Sequence, residues 1–172
     1  MQALNTSPHG HDLRRTAAGL IGLCGLYQVA VGLYFMALRP ALLPEDLRFL
    51  AASVAGMEAS LPRLEIWLHL VFIVLGGQMA AVGVLLIGSS LRIFHIKARR
   101  WRELVLLGAA GVLSVGTMAG VNFVLGSDFR WLLIVPAMAW AAGLVLTILS
   151  GVDSGAAVGA KSGKRQGERR HE

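Results

Sequence analysis

The chain has 172 residues, of which 55% are hydrophobic and 15% charged, and its formal net charge is +6. Soluble domains carry nearer a quarter charged residues. Long apolar runs set between short charged ones therefore place this chain in the membrane class, and the segments between the runs leave no room for a second, soluble domain.

Taken in chain order, residues 1–16 form a short arm carrying Arg14 and Arg15. Its "HGHD" at 9–12 has the residue types of a metal chelate but lies in an arm expected to be disordered, so no metal is assigned to it. The first apolar run is Ala17–Leu38, "AAGLIGLCGLYQVAVGLYFMAL". It is too long for a cleaved signal peptide, and no small-x-small site follows it. Its lone Cys24 excludes an intramolecular disulfide and falls short of a thiolate zinc site.

The connection that follows, 39–63, predicts an amphipathic helix from Pro44 to about Ser60. Pro44 suits the first helical position, and Glu45 and Asp46 complement the positive end of the helix dipole. Leu47, Leu50, Val54, Met57 and Leu61 fall on one face, as expected of a helix at a membrane surface.

The second run spans about 64–91 and opens with "LEIWLHLVFIVLGGQMA". A basic loop, 92–103, precedes a third run at about 104–126. A short connection then leads to the fourth run at about 131–150. Each run covers a hydrocarbon core of about 30 Å as a helix. Barrel strands would be about half as long and would alternate in polarity. The tail, 151–172, is rich in Gly, Ser, Lys and Arg without an apolar face, which predicts disorder. The fold class is thus an all-α membrane protein: an antiparallel bundle of four transmembrane helices with a short amphipathic helix in the first outer connection.

Orientation follows from Lys and Arg. The arm, the 92–103 loop and the tail hold 12 of the 16 basic residues. Those three segments must share one side, which should be the cytoplasm, giving both termini inside. The expected surroundings are the lipid bilayer, with anionic headgroups near the 92–103 loop and the tail. Nucleic-acid binding is not expected, because no recognition fold accompanies the basic segments.

Depth comparison at 1.5 Å per residue brings Tyr34, His69 and Asn122 to one outer-half layer, with Glu65 one turn above His69. On a helical wheel, Glu65, His69, Phe72, Gly76, Ala80 and Gly83 share a stripe. Small residues on that stripe let a neighbouring helix approach closely, so His69 is expected to face protein. Such a layer would handle a small ligand or proton, or simply fix helix register through hydrogen bonds. Arg39, Asp128 and Arg130 fringe it. Gly19, Gly22 and Gly25 in the first run, and Gly116 and Gly120 in the third, are expected to close the bundle or else to form an oligomer face.

No catalytic set emerges. His69 is the only histidine inside a run, which rules out a bis-histidine haem within one chain. Glu65 with His69 gives two zinc ligands where three or more are needed. No nucleophile elbow, phosphate loop or dinucleotide fingerprint is present, so neither a cofactor nor a metal is assigned.

"GLYQVAVGLYFMALRPALLPEDLRFL" followed by "VFIVLGGQMAAVGVLLI" resembles small bacterial four-helix membrane proteins with a DoxX-like layout. The likeness lies in the Gly-rich first run, the Pro-Glu-Asp loop and the glycines from Gly76 to Gly83. It implies a four-helix protein of the bacterial inner membrane and carries no activity over. The expected function is that of a non-enzymatic accessory or structural membrane component. The alternatives are a ligand-binding or transport-related protein using the outer-half layer, and a redox or enzyme subunit completed by a partner. A homo-oligomer and a membrane-complex partner are both left open by the sequence, which does not fix the oligomeric state.

Overall fold

A computed structural model of the chain describes residues 8–95 and 101–168, with side chains placed over 12–93 and 101–150. The described residues are helical and contain no strand. The order is α1 (Pro8–Ala37), α2 (Pro44–Leu50), α3 (Val54–Ser60), α4 (Leu64–His95), α5 (Trp101–Gly111), a π-helical turn (Val112–Gly116), α6 (Thr117–Val124) and α7 (Arg130–Glu168). α5, the π turn and α6 follow one another without a break and make one rod. Four stretches are long and apolar enough to cross a membrane: Asp12–Ala37, Leu64–Ile93, Trp101–Val124 and Arg130–Ser150. They match the four runs read from the sequence to within a few residues at each end.

The helix ends have local causes. α1 opens on Pro8, whose missing N–H costs nothing in the first turn, so part of the arm is helical. It closes at Ala37 because Pro40 bars Arg39 from the α conformation. After α6, Gly126 adopts φ +62°. Its N–H donates to Phe123 O at 3.2 Å, and the Ser127 N–H donates to Asn122 O at 3.0 Å. This pair of bonds turns the chain back through a left-handed residue.

Two expectations about helix extent are corrected. The surface helix predicted over 44–60 is two helices. Ala51, at φ 50°, ends α2 through the same pair of bonds, from Ala51 N to Arg48 O at 3.3 Å and from Ala52 N to Leu47 O at 3.2 Å. Ser53 then starts α3 by accepting from Gly56 N at 3.2 Å. The cap at Ser53 competes with continuing the helix, so the stripe from Leu47 to Leu61 is split between two axes. The tail expected to be disordered continues α7 as far as Glu168. Extending an existing helix needs no new nucleus.

Packing centres on α1, which lies between α4 and α7, while the α5–α6 rod packs on α7. The α1–α4 seam is built on four glycines. A Cβ on Gly25 would lie 2.7 Å from Gly83 O, and one on Gly32 would lie 2.5 Å from Gly76 O. The reverse holds for Gly83 against Gly25 O, at 2.6 Å, and for Gly76 against Gly32 O. The partners Gly25/Gly83 and Gly32/Gly76 are each seven residues apart, two turns of helix, and their numbers run in opposite senses. Backbone therefore meets backbone at two levels, which only glycine permits. Below the seam, Ile21, Leu86 and Leu107 form a buried cluster with Val82, Ile93, Trp140 and Leu144 against it. All four rods contribute to it.

The other glycines divide. Gly22 meets Ser90 and Gly143 meets Ile21, whereas Gly19 and Gly120 have nothing within 4 Å, and Gly116 meets only the Gly111 carbonyl of its own rod. The Gly116/Gly120 pair expected to close the bundle does not close it.

Candidate functional site

Polar groups gather at the end of the molecule that carries α2 and α3. The turn after α1 delivers Arg39, whose guanidinium lies 3.7 Å from the centroid of the Phe72 ring and 5.1 Å from that of Phe35. It pairs with Asp46 Oδ2 at 3.3 Å. The same Asp46 oxygen accepts from the Leu43 N–H at 2.9 Å and so caps α2. One arginine thus ties the end of α1 to α2 and to α4 through charge, a planar stack and a cap.

A second tie joins α2 to the turn between α6 and α7. Glu45, read from the sequence as a dipole partner, is buried, and its Oε1 accepts from Ser127 Oγ at 3.4 Å. Ser127 is itself buried and also receives the Phe129 N–H at 3.3 Å. On the surface beside them, Arg48 pairs with Asp128 at 2.9 Å. Of the fringe groups singled out in the sequence, Arg39 and Asp128 therefore have structural partners on α2. Arg130 sits 5.9 Å from the Trp131 ring.

The four residues of the expected polar layer are not assembled. Glu65 and His69 are both exposed, which corrects the expectation that His69 faces protein. Tyr34 is exposed, its ring edge-on to Phe35 at 6.1 Å. Asn122 donates from Nδ2 to Met118 O at 2.9 Å within its own helix. No hydrogen bond or ion pair joins any two of the four. The reason is register. The Gly25/Gly83 and Gly32/Gly76 pairings place Phe72 beside Met36 and His69 opposite position 39, beyond the last residue of α1. Gly76, Ala80 and Gly83 meet α1 as expected; the stripe simply outruns its partner helix.

Deeper in the molecule a different polar set appears. Cys24 donates through Sγ to Pro136 O at 3.3 Å. Pro136 in turn has no N–H for the Leu132 carbonyl. Gln28, one turn beyond Cys24, is 1% exposed and its Oε1 has no hydrogen-bond partner. Trp140 lies across Gly111, where a Cβ would collide with the indole ring, and donates from Nε1 to Leu107 O at 3.3 Å. The π turn begins at the next residue. Two hydroxyls bond to backbone carbonyls in and beside it: Ser114 Oγ donates to Ala110 O and Thr117 Oγ1 to Val112 O. A π turn beside an inserted side chain is a recurring association. Nothing local in the sequence assigns Trp140 a partner; Gly111 on the facing rod, where the indole ring lies, was the available signal.

Glu65 also lines a cavity of about 360 Å³ with the turn after α1 and with α3. Among the described residues no group of three or more His, Cys, Asp or Glu side chains is placed to hold a metal ion. Residues 96–100 of the basic loop lie outside the described residues, and the side chains of His9, His11, His95 and the basic tail lie outside the described side chains. Compared with known proteins, the chain matches no family model, no curated protein and no solved structure.

Proposed function

We propose that this chain is a multi-pass protein of the bacterial inner membrane, an antiparallel bundle of four spanning helices that serves as a non-enzymatic accessory or structural component. The observation that carries the reading is the distribution of apolar surface. Leu23, Leu33, Val74, Leu85, Leu113 and Val135 are all more than half exposed, and they lie on the four helical stretches long and apolar enough to cross a membrane. A water-soluble protein does not leave several such faces uncovered, whereas lipid covers them without cost.

The charge asymmetry supports an orientation with both termini and the 92–103 loop in the cytoplasm and α2–α3 outside. Trp67, Trp101 and Trp131, each exposed, then fall near the two interfaces, where indole rings prefer to sit. The buried polar contacts at the α2–α3 end have structural partners and serve to hold connections together. The fold invests its glycines in close backbone packing, which suits a component whose work is to present surfaces to membrane partners.

The test is the size of the native species. Membranes solubilised in a mild detergent and resolved on native gels should show the tagged chain in a discrete band well above a monomer, retained on repeated extraction. Migration as a monomer at every detergent concentration, with substrate turnover or transport by the purified chain, would contradict the accessory reading.

A further inference from the structure

The cavity beside Glu65 is where, among the described residues, the α2–α3 end leaves acidic side chains without an ion-pair partner. Its walls are apolar: Leu42 from the turn after α1, Val54, Met57 and Leu61 from α3 and its C-terminal side. Two carboxylates line it as well, Glu58 and Glu65. Every other acid at this end is engaged, Asp46 with Arg39, Asp128 with Arg48, and Glu45 with Ser127. Glu58 and Glu65 have no ion pair among the described residues, and both are exposed. Arg63, between them in sequence, pairs with neither and does not line the cavity. The connections at this end carry Arg39, Arg48, Arg63 and Arg130 against Glu45, Asp46, Glu58 and Asp128, and the first turn of α4 adds Glu65. This end is therefore net negative on a chain whose formal charge is +6.

We infer that this cavity binds a free cationic amphiphile, a single alkyl chain or ring bearing a primary or quaternary ammonium group. The ammonium sits between Glu58 and Glu65, and the apolar portion lies on Val54, Met57, Leu61 and Leu42. Charge complementarity selects the head, because two unpaired carboxylates attract a cation and repel a phosphate or sulfate. The same repulsion disfavours a bilayer phospholipid, whose phosphate adjoins any amine it carries. Size agrees. At about 30 Å³ for each water-sized group, 360 Å³ holds the head and first part of one chain and not a diacyl lipid. The volume falls in the ordinary range for small-molecule sites, about 300–1,000 Å³. The site itself does not depend on the accessory role proposed above. Only the continuation of the alkyl chain into a bilayer rests on the four-span reading, which the labelling experiment below tests separately.

The probe is decyltrimethylammonium, titrated calorimetrically into the full chain in dodecyl maltoside, with protein-free micelles as the blank. Decyl sulfate and decanol serve as matched anionic and neutral probes. The expected result is saturable binding of the ammonium alone. Glu58→Gln/Glu65→Gln should weaken it about fivefold to tenfold, the range for two partly exposed ion pairs. Leu61→Trp, which fills the apolar wall without touching the charges, should weaken it as well, and Asp128→Asn should leave it unchanged. Both acids are exposed and unpaired, so the double variant should keep the parent's elution volume and helix content. Equal uptake of decyl sulfate, or unchanged binding in the double variant, would overturn the assignment and leave the cavity a place filled by bulk lipid or detergent.

Discussion

Glu45 and Gln28 are both buried polar side chains, but only one is answered. Glu45 meets the Ser127 hydroxyl, itself enclosed, so its burial ties α2 to the α6–α7 turn. Gln28 keeps Oε1 unpartnered at 1% exposure, and a buried acceptor without a donor costs about 1–3 kcal/mol. Gln28→Leu should therefore raise the thermal stability of the purified chain by about 1 kcal/mol. A fall of that size in detergent melting would mean that Gln28 has a donor in the folded protein. At this scale the sequence was least legible. His69 and Glu65 share a wheel stripe with Gly76 and Gly83, but a wheel does not say where the opposing helix stops. Pro40 does say so, and counting the seam from Gly32/Gly76 back to Arg39 would have left His69 without a partner. Glu45 was misread for the opposite reason. Its place in a first turn predicts an exposed dipole partner, and nothing local reveals that Ser127 arrives from 82 residues away.

At the scale of elements, the four long apolar runs were legible because length and lipid-like composition leave little else for them to be. Their pairing was partly legible. Gly76, Ala80 and Gly83 were read as a contact stripe, and Gly25 as a packing residue. What the sequence did not disclose was the reciprocal spacing of seven on both helices. The glycines look equivalent on the page and are not. Gly83→Val would place side-chain atoms against Gly25 O and Val29, both already within 2.7 Å of a Cβ, and should cost about 3 kcal/mol. Gly88→Val, with nothing within 4 Å of its Cβ, should change stability by less than about 1 kcal/mol. Melting of the two variants side by side checks this, and equal losses would place the α1–α4 contact elsewhere. The surface helix shows the other limit of pattern reading. Its apolar spacing is continuous from Leu47 to Leu61, yet Ser53 caps a new helix and Ala51 takes the left-handed turn. Capping chemistry overrode periodicity over a stretch too short for periodicity to dominate.

For the whole molecule, the account joins three features: apolar faces turned outward on four long helices, a basic bias on the segments at one end, and a charge-balanced, cavity-bearing connection at the other. Each has a physical reason if the chain threads a membrane four times with α2–α3 outside. Cysteine accessibility tests that arrangement most directly. In a Cys24→Ser background, Ala52→Cys places a thiol between α2 and α3, and Ser162→Cys places one in the tail. A membrane-impermeant maleimide applied to bacterial spheroplasts should label Ala52→Cys at once and Ser162→Cys only after lysis. Labelling of both thiols in intact spheroplasts, or of the tail alone, would contradict the account.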